Sequence, residues 1–333
     1  MTRSLVRVGL VGAGNMGQVY ARVLRQTDLR FRAEVVAVCD QDLARARDLA
    51  GTDARAYDDV DRMLAAERLD WVYQATPDHA HREPFLALMA AGVPTLVEKP
   101  LATTWDDAWA MAEAARRAGV PAQVNFTNRI NPAFQAAKSA LERGQAGRLL
   151  GVYARLSNVF TYPKNNLSWA ARSSAAWFLI AHTADLAQWL TGWRATSVLA
   201  RGVKGRLAGL GVDTWDLIQA LVTYEDGGSA LLEASWTLPE SMPTIVDFEF
   251  VVHGDNGQIV VDTTRQMVTV AGPEKYAYPG TLGWTQRQIS DNLDRLSEPV
   301  RPDALADGLA NTALLVALHD SLRSGRPEPV RES

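Results

Sequence analysis

Along the first 126 positions, apolar residues arrive in short runs separated by longer amphipathic stretches. Val6-Arg7-Val8-Gly9-Leu10-Val11 is apolar and β-branched, is stopped by glycine, and predicts a buried strand. Further strands are predicted at 34–39, 71–74, 95–97 and 120–126, and helices at 16–24, 42–50, 79–91 and 105–118. Asp42 stands where it caps the second helix, and Gly92 and Gly119 close the last two. Strand and helix alternate throughout, which predicts βαβ units with right-handed crossovers: a doubly wound parallel sheet, helices on both faces.

Beyond residue 131 the pattern changes. A helix at 132–142, with Pro132 suited to its first turn, leads to an alternating stretch at 148–158 and a helical stretch at 175–190. Runs at 196–203, 214–224, 229–237, 245–253, 257–262 and 267–271 predict strands. Glu225-Asp226-Gly227-Gly228 and Gly254-Asp255-Asn256-Gly257 are hairpin turns, so this second region is a mostly antiparallel sheet. Residues 272–281 read as a loop, and 283–296 and 303–323 as closing helices. The boundary falls between 126 and 127, giving domains 1–126 and 127–333.

Composition narrows the class. A length of 333 residues fits two domains, and 47% hydrophobic with 22% charged residues fits a globular protein. Lys+Arg 34 against Asp+Glu 38 leaves a net charge of -4, which gives no global attraction to nucleic acid or to an anionic membrane. The single cysteine, Cys39, excludes an intramolecular disulfide and argues against a thiolate zinc site. His79, His253 and His319 have no metal-ligand spacing, so no metal is expected. The run at 6–11 is too short for a secretory core, and no apolar run reaches membrane-spanning length, so a cytoplasmic location is expected.

Gly12-Ala13-Gly14-Asn15-Met16-Gly17 follows the first strand and opens the first helix. That context fits a dinucleotide turn: Gly12 for the tight turn, Gly14 for approach of the pyrophosphate, Gly17 for helix packing. Asp40 ends the second strand, where a carboxylate accepts from the ribose 2′-OH of NAD and repels a 2′-phosphate, although it could equally cap the next turn. Gln41 supplies no cation for NADP, so NAD is the expected cofactor. Thr76-Pro77-Asp78-x-x-His81 and Glu98-Lys99-Pro100 lie just past strands of the same sheet, where open α/β sheets bind ligands. Taken alone, the first also fits a capped turn and the second two surface charges.

Together, Gly12-x-Gly14-x-x-Gly17, Thr76-Pro77-Asp78-x-x-His81 and Glu98-Lys99-Pro100-Leu101 resemble the Gfo/Idh/MocA oxidoreductases, with Arg129-Ile130-Asn131-Pro132 and Glu142-x-Gly144-x-x-Gly147 fitting too. The resemblance implies an α/β chain: an N-terminal NAD(P)-binding Rossmann domain and a C-terminal α+β domain with a large, open, mostly antiparallel sheet. It also implies a sheet-mediated homodimer or homotetramer, a cis Lys99–Pro100 peptide, and hydride transfer on a secondary alcohol or ketone of a polyhydroxylated sugar, cyclitol or derivative. Residue by residue, it places Thr76, Pro77, His81, Glu98 and Lys99 at the cofactor. Lys99 becomes the electrostatic catalyst and His182 the base. Asp185 shares the His182 helix face, and Asn125, Arg129, Tyr162, Lys164 and Trp169 are candidate substrate contacts. Where the family has an aspartate four residues before this histidine, the chain has Phe178. That departure leaves open a non-catalytic nucleotide or sugar sensor on the same scaffold, and a redox-neutral, NAD-using glycoside-cleaving enzyme is a second alternative.

Overall fold

The computed structural model describes residues 5–262, 268–271, 275–278, 284–296, 300–301 and 303–332. Two compact units divide the chain, Met1–Asn125 with Gly283–Leu309 and Phe126–Leu282 with Ala310–Ser333.

The first unit runs β1 (Val6–Val11), α1 (Asn15–Gln26), β2 (Ala33–Cys39), α2 (Leu43–Ala50), β3 (Arg55–Tyr57), α3 (Val60–Ala66), β4 (Trp71–Gln74), α4 (Arg82–Ala90), β5 (Thr95–Glu98), α5 (Trp105–Ala118) and β6 (Ala122–Asn125). The six strands form a parallel sheet in the order β3-β2-β1-β4-β5-β6. Adjacent strand residues feed opposite faces: Leu10, Tyr73 and Leu96 join one core with Tyr20 and Leu24, while Val11, Val72 and Val97 join the other with Phe85 and Leu88. This is why the strands are apolar without alternating. The chain reverses direction across the sheet between β1 and β4, and the carboxyl ends there are where such sheets bind ligands.

The second unit contributes α6 (Pro132–Glu142), β7 (Leu149–Val159), α7 (Thr161–Asn166), α8 (Ala181–Thr191), β8 (Ala195–Val203), α9 (Arg206–Gly209), β9 (Leu217–Tyr224), β10 (Ser229–Leu238), β11 (Val246–Gly254), β12 (Gly257–Asp262), β13 (Val268–Ala271) and β14 (Lys275–Tyr278). Then come α10 (Trp284–Arg295), α11 (Ala306–Ser324) and β15 (Glu328–Pro329). Nine strands among the described residues form one sheet, β14-β13-β12-β11-β7-β10-β9-β8-β15. Its pairs are antiparallel except β7 with β10 at the centre.

Four expectations are corrected. Residues 283–309 belong to the first unit: α10 returns there because Ile289 and Leu293 bury in the same core as Leu10 and Tyr20. The stretch 272–281 holds β14, whereas 272–274 and 279–281 lie outside the described residues, as does residue 267. The helix expected at 79–91 is a 3₁₀ turn, Asp78–Ala80, followed by α4. The helix expected at 175–190 opens with a π-helical turn, Ala176–Ile180, before α8.

Candidate active site

In the first unit, β1 runs into the glycine turn. Gly12 has φ +100, and a Cβ there would lie 2.4 Å from the Ala75 carbonyl oxygen. A Cβ at Gly17 would lie 2.0 Å from the Gly12 carbonyl oxygen. The protein's own backbone therefore demands both glycines. Gly14 is different: a Cβ there meets nothing within 4 Å. Nothing in the chain requires that glycine, so the open space fits a group brought from outside, as a pyrophosphate approaching the backbone would be. Helix α1 opens on this residue, without a side-chain cap and without an acidic residue in its first turn, which suits an anion. Ala13, Asn15 and Met16 complete the turn. The Asp40 carboxylate accepts from the amides of Ala13 (2.7 Å) and Asp42 (2.9 Å), so it braces the turn as well as ending β2.

The turn after β5 carries Lys99, with a cis Lys99–Pro100 peptide. Lys99 is half-buried. Burial pushes its ammonium pKa down, with the charges of Glu98 and Asp78 opposing. Its amide donates to Glu98 Oε2 at 3.3 Å. Glu98 itself is buried, and its Oε1 accepts from Tyr20 Oη (2.6 Å) and Asn125 Nδ2 (2.7 Å). Asn125 Nδ2 also reaches Tyr20 Oη at 2.6 Å, and Asn125 Oδ1 accepts from Gln288 on α10. Burial first, then Glu98, pushes the Tyr20 pKa well up, so it stays a phenol and donates. Sequence reading puts Glu98 at the cofactor and Asn125 at the substrate; the structure commits Glu98 Oε1 and both ends of the Asn125 amide to this network.

His81 is likewise buried. Its ring nitrogens face the Thr76 carbonyl on one side (3.0 Å) and the Pro100 and Leu101 carbonyls on the other (2.9 and 3.2 Å). Burial pushes its pKa below the ordinary range, against the nearby Asp78, Glu98 and those carbonyls. His81 thus stands buried between the Thr76–Pro77 turn and the Pro100 turn. Cys39, packed beside the nucleotide turn, is an inert thiol, its pKa pushed up to about 12 by burial and by Asp59, Asp40 and Asp58.

In the second unit, His182 sits half-exposed in the first turn of α8, directly after the π-helical turn, a feature often found at functional sites. Arg129 grips Asp185 at two points, Nε to Oδ2 at 3.0 Å and Nη2 to Oδ1 at 2.5 Å, and lies over the Phe126 and Trp189 rings. Phe178 gathers Tyr162 (5.9 Å), Trp169 (6.1 Å) and Trp236 (5.8 Å) between ring centroids. Sequence reasoning missed Tyr20, Gln288 and Trp236. The signal for Gln288 was its pairing with Asn292 at i, i+4, beside the apolar pair Ile289 and Leu293.

Among the described residues, no cluster of His, Cys, Asp and Glu could hold a metal, and no helix is long and apolar enough to cross a membrane. A family model described as "Oxidoreductase family, NAD-binding Rossmann fold" matches residues 6–126, and one described as "GFO/IDH/MocA C-terminal domain" matches 134–260. The inositol 2-dehydrogenase of Acidothermus cellulolyticus is 31% identical, covering 96% of this chain and 93% of its own. The D-apiose dehydrogenase of Paraburkholderia graminis is 29% identical, covering 95% and 88%. A solved NAD binding oxidoreductase from Klebsiella pneumoniae matches with TM-score 0.83 and 27% identity, covering 99% and 100%.

Proposed function

The chain belongs to the Gfo/Idh/MocA family of NAD(P)-dependent oxidoreductases, and from that premise we propose that it moves hydride between NAD and a secondary alcohol, or matching ketone, of a sugar, cyclitol or derivative. The observation that carries this reading is the sheet edge of the first unit: the open Gly14 turn and a half-buried lysine stand at the carboxyl ends of strands of one sheet, with only β4 between β1 and β5. The inositol and apiose dehydrogenases, 31% and 29% identical, support the substrate class.

Bound NAD supplies the hydride acceptor. The open end of α1, just after Gly14, would take the pyrophosphate on backbone amides, and Asp40 would take the ribose, which favours NAD over NADP. Lys99, as the ammonium, lowers the energy of the alkoxide left when the hydroxyl proton departs, from which the carbinol carbon gives up its hydride. His182 accepts the hydroxyl proton, in the direction of oxidation. Glu98, Tyr20 and Asn125 hold the turn that presents Lys99, and the Arg129–Asp185 pair holds the face of α8 that carries His182.

The reading includes a cytoplasmic homodimer or homotetramer. Support for assembly comes from the outer face of the large sheet, where Leu199, Leu221, Leu231 and Tyr153 are successive cross-strand partners. Leu221 and Leu231 are 46% and 43% exposed, and the next row, Gln219, Glu233, Arg155 and Glu249, is polar. An apolar stripe beside a charged one suits a self-complementary interface. The function is tested by NADH formation over a panel of cyclitols and sugars, with NAD binding measured in parallel. Reduction of NAD by at least one secondary alcohol is expected; NAD binding without turnover of any member contradicts the reading.

A further inference from the structure

Directly before His182, the second unit presents aromatic surface where polyol recognition calls for hydrogen-bonding groups. Tyr162, Trp169 and Phe178 are each half-exposed, and the fully buried Trp236 backs them. The rings come from three places, α7, the loop that follows it and the π-helical turn, and they converge on Phe178. Three polar side chains that flank Phe178 in the sequence are committed elsewhere. Ser174 Oγ bonds His319 Nε2 at 2.7 Å, Thr183 Oγ1 donates to the Ile180 carbonyl, and both oxygens of Asp185 take Arg129. Phe178 stands four residues before His182, on its side of the helix.

We infer that this aromatic surface receives an apolar edge of the substrate ring, so that the preferred substrate is a sugar or cyclitol with a deoxygenated or O-alkylated position near the reacting CH–OH. A hydroxyl pressed on Phe178 gives up its water and finds no partner. A methylene at the same place gains ring contact and loses no hydrogen bond, and a methoxy group gains contact through its methyl while leaving no donor unpaired. A ring hydroxylated at every carbon offers C–H faces to the aromatic rings but no edge free of hydroxyls. The inference rests on the dehydrogenase reading for the reaction and on these rings for the choice of substrate.

The test uses the full chain with NAD and three matched probes: myo-inositol, its mono-deoxy analogues and its mono-O-methyl ethers. Both kcat/KM for NADH formation and calorimetric affinity in the presence of NAD are measured. The wild type is expected to prefer the best deoxy or methyl ether probe over the parent by about 10- to 100-fold. Phe178→Leu keeps that preference, and Phe178→Asp removes or inverts it while NAD affinity stays unchanged. A wild type that handles the parent as well as any analogue overturns the inference, as does a ratio that Phe178→Asp leaves unmoved. If no probe yields NADH, the dehydrogenase reading fails for this class and the affinity ranking alone decides the inference. If none binds either, the inference falls too.

Discussion

Tyr20, Glu98 and Asn125 share one buried set of short hydrogen bonds, and the turn that carries Lys99 starts from the middle member. Glu98 therefore acts on Lys99 in two ways, by position and by charge. A step that needs the lysine as a cation is complete below its pKa and is lost as pH rises through it. Burial depresses that pKa, so the alkaline fall in kcat should begin at lower pH than for a solvated lysine. Glu98→Gln removes an opposing anion and should move the fall lower still, with NAD affinity unchanged; a kcat profile with the limb unmoved would remove Glu98 from the account. At the nucleotide turn, Asp40→Ser should weaken NAD and narrow its advantage over NADP, measured as the ratio of dissociation constants. Because Asp40 also holds the Ala13 amide, part of that loss should fall on both nucleotides. The glycine turn and Lys99 were legible in the sequence because backbone geometry and charge at strand ends are local facts. The partners of Glu98 were not, since Tyr20 lies 78 residues away and Gln288 lies in a helix that returns from far along the chain.

Ser174 holds the start of the π-helical turn: its Oγ accepts from the Trp177 amide at 3.2 Å and meets His319 Nε2. His319 Nδ1 donates to the Leu315 carbonyl at 2.7 Å and its ring stacks on Trp177 at 4.4 Å. Nε2 is then the acceptor for the Ser174 hydroxyl. Ser174→Ala should destabilise by about 1 kcal/mol, the usual cost of a lost cap, read as a drop in thermal midpoint. Unchanged stability would mean that the turn is held by packing alone. Periodicity located this helix but not its first turn, because a π turn and an α turn carry the same apolar pattern here. The same limit explains β3 and α3, absent from the sequence reading: a three-residue strand and a seven-residue helix are too short to establish a period. The strands β1 and β4 and the helices α5 and α6 match their predicted bounds, since each has a strong pattern or punctuation by proline, threonine or glycine at its ends.

For the molecule as a whole, the outer row of the large sheet carries the assembly proposal. Leu221→Glu with Leu231→Glu should yield a smaller species by sedimentation velocity, because two adjacent charges would enter an apolar contact; an unchanged sedimentation coefficient would place the interface elsewhere. The central claim is hydride transfer aided by one cation and one base. It is tested most directly by single-turnover NADH formation with the best substrate from the panel, comparing wild type with Lys99→Ala and His182→Ala at equal NAD saturation. Loss of ~10²–10³-fold for Lys99→Ala and ~10²–10⁴-fold for His182→Ala is expected, with the double variant falling short of the product of the two. Near wild-type rates in either single variant, with NAD bound and the chain folded, would contradict the account.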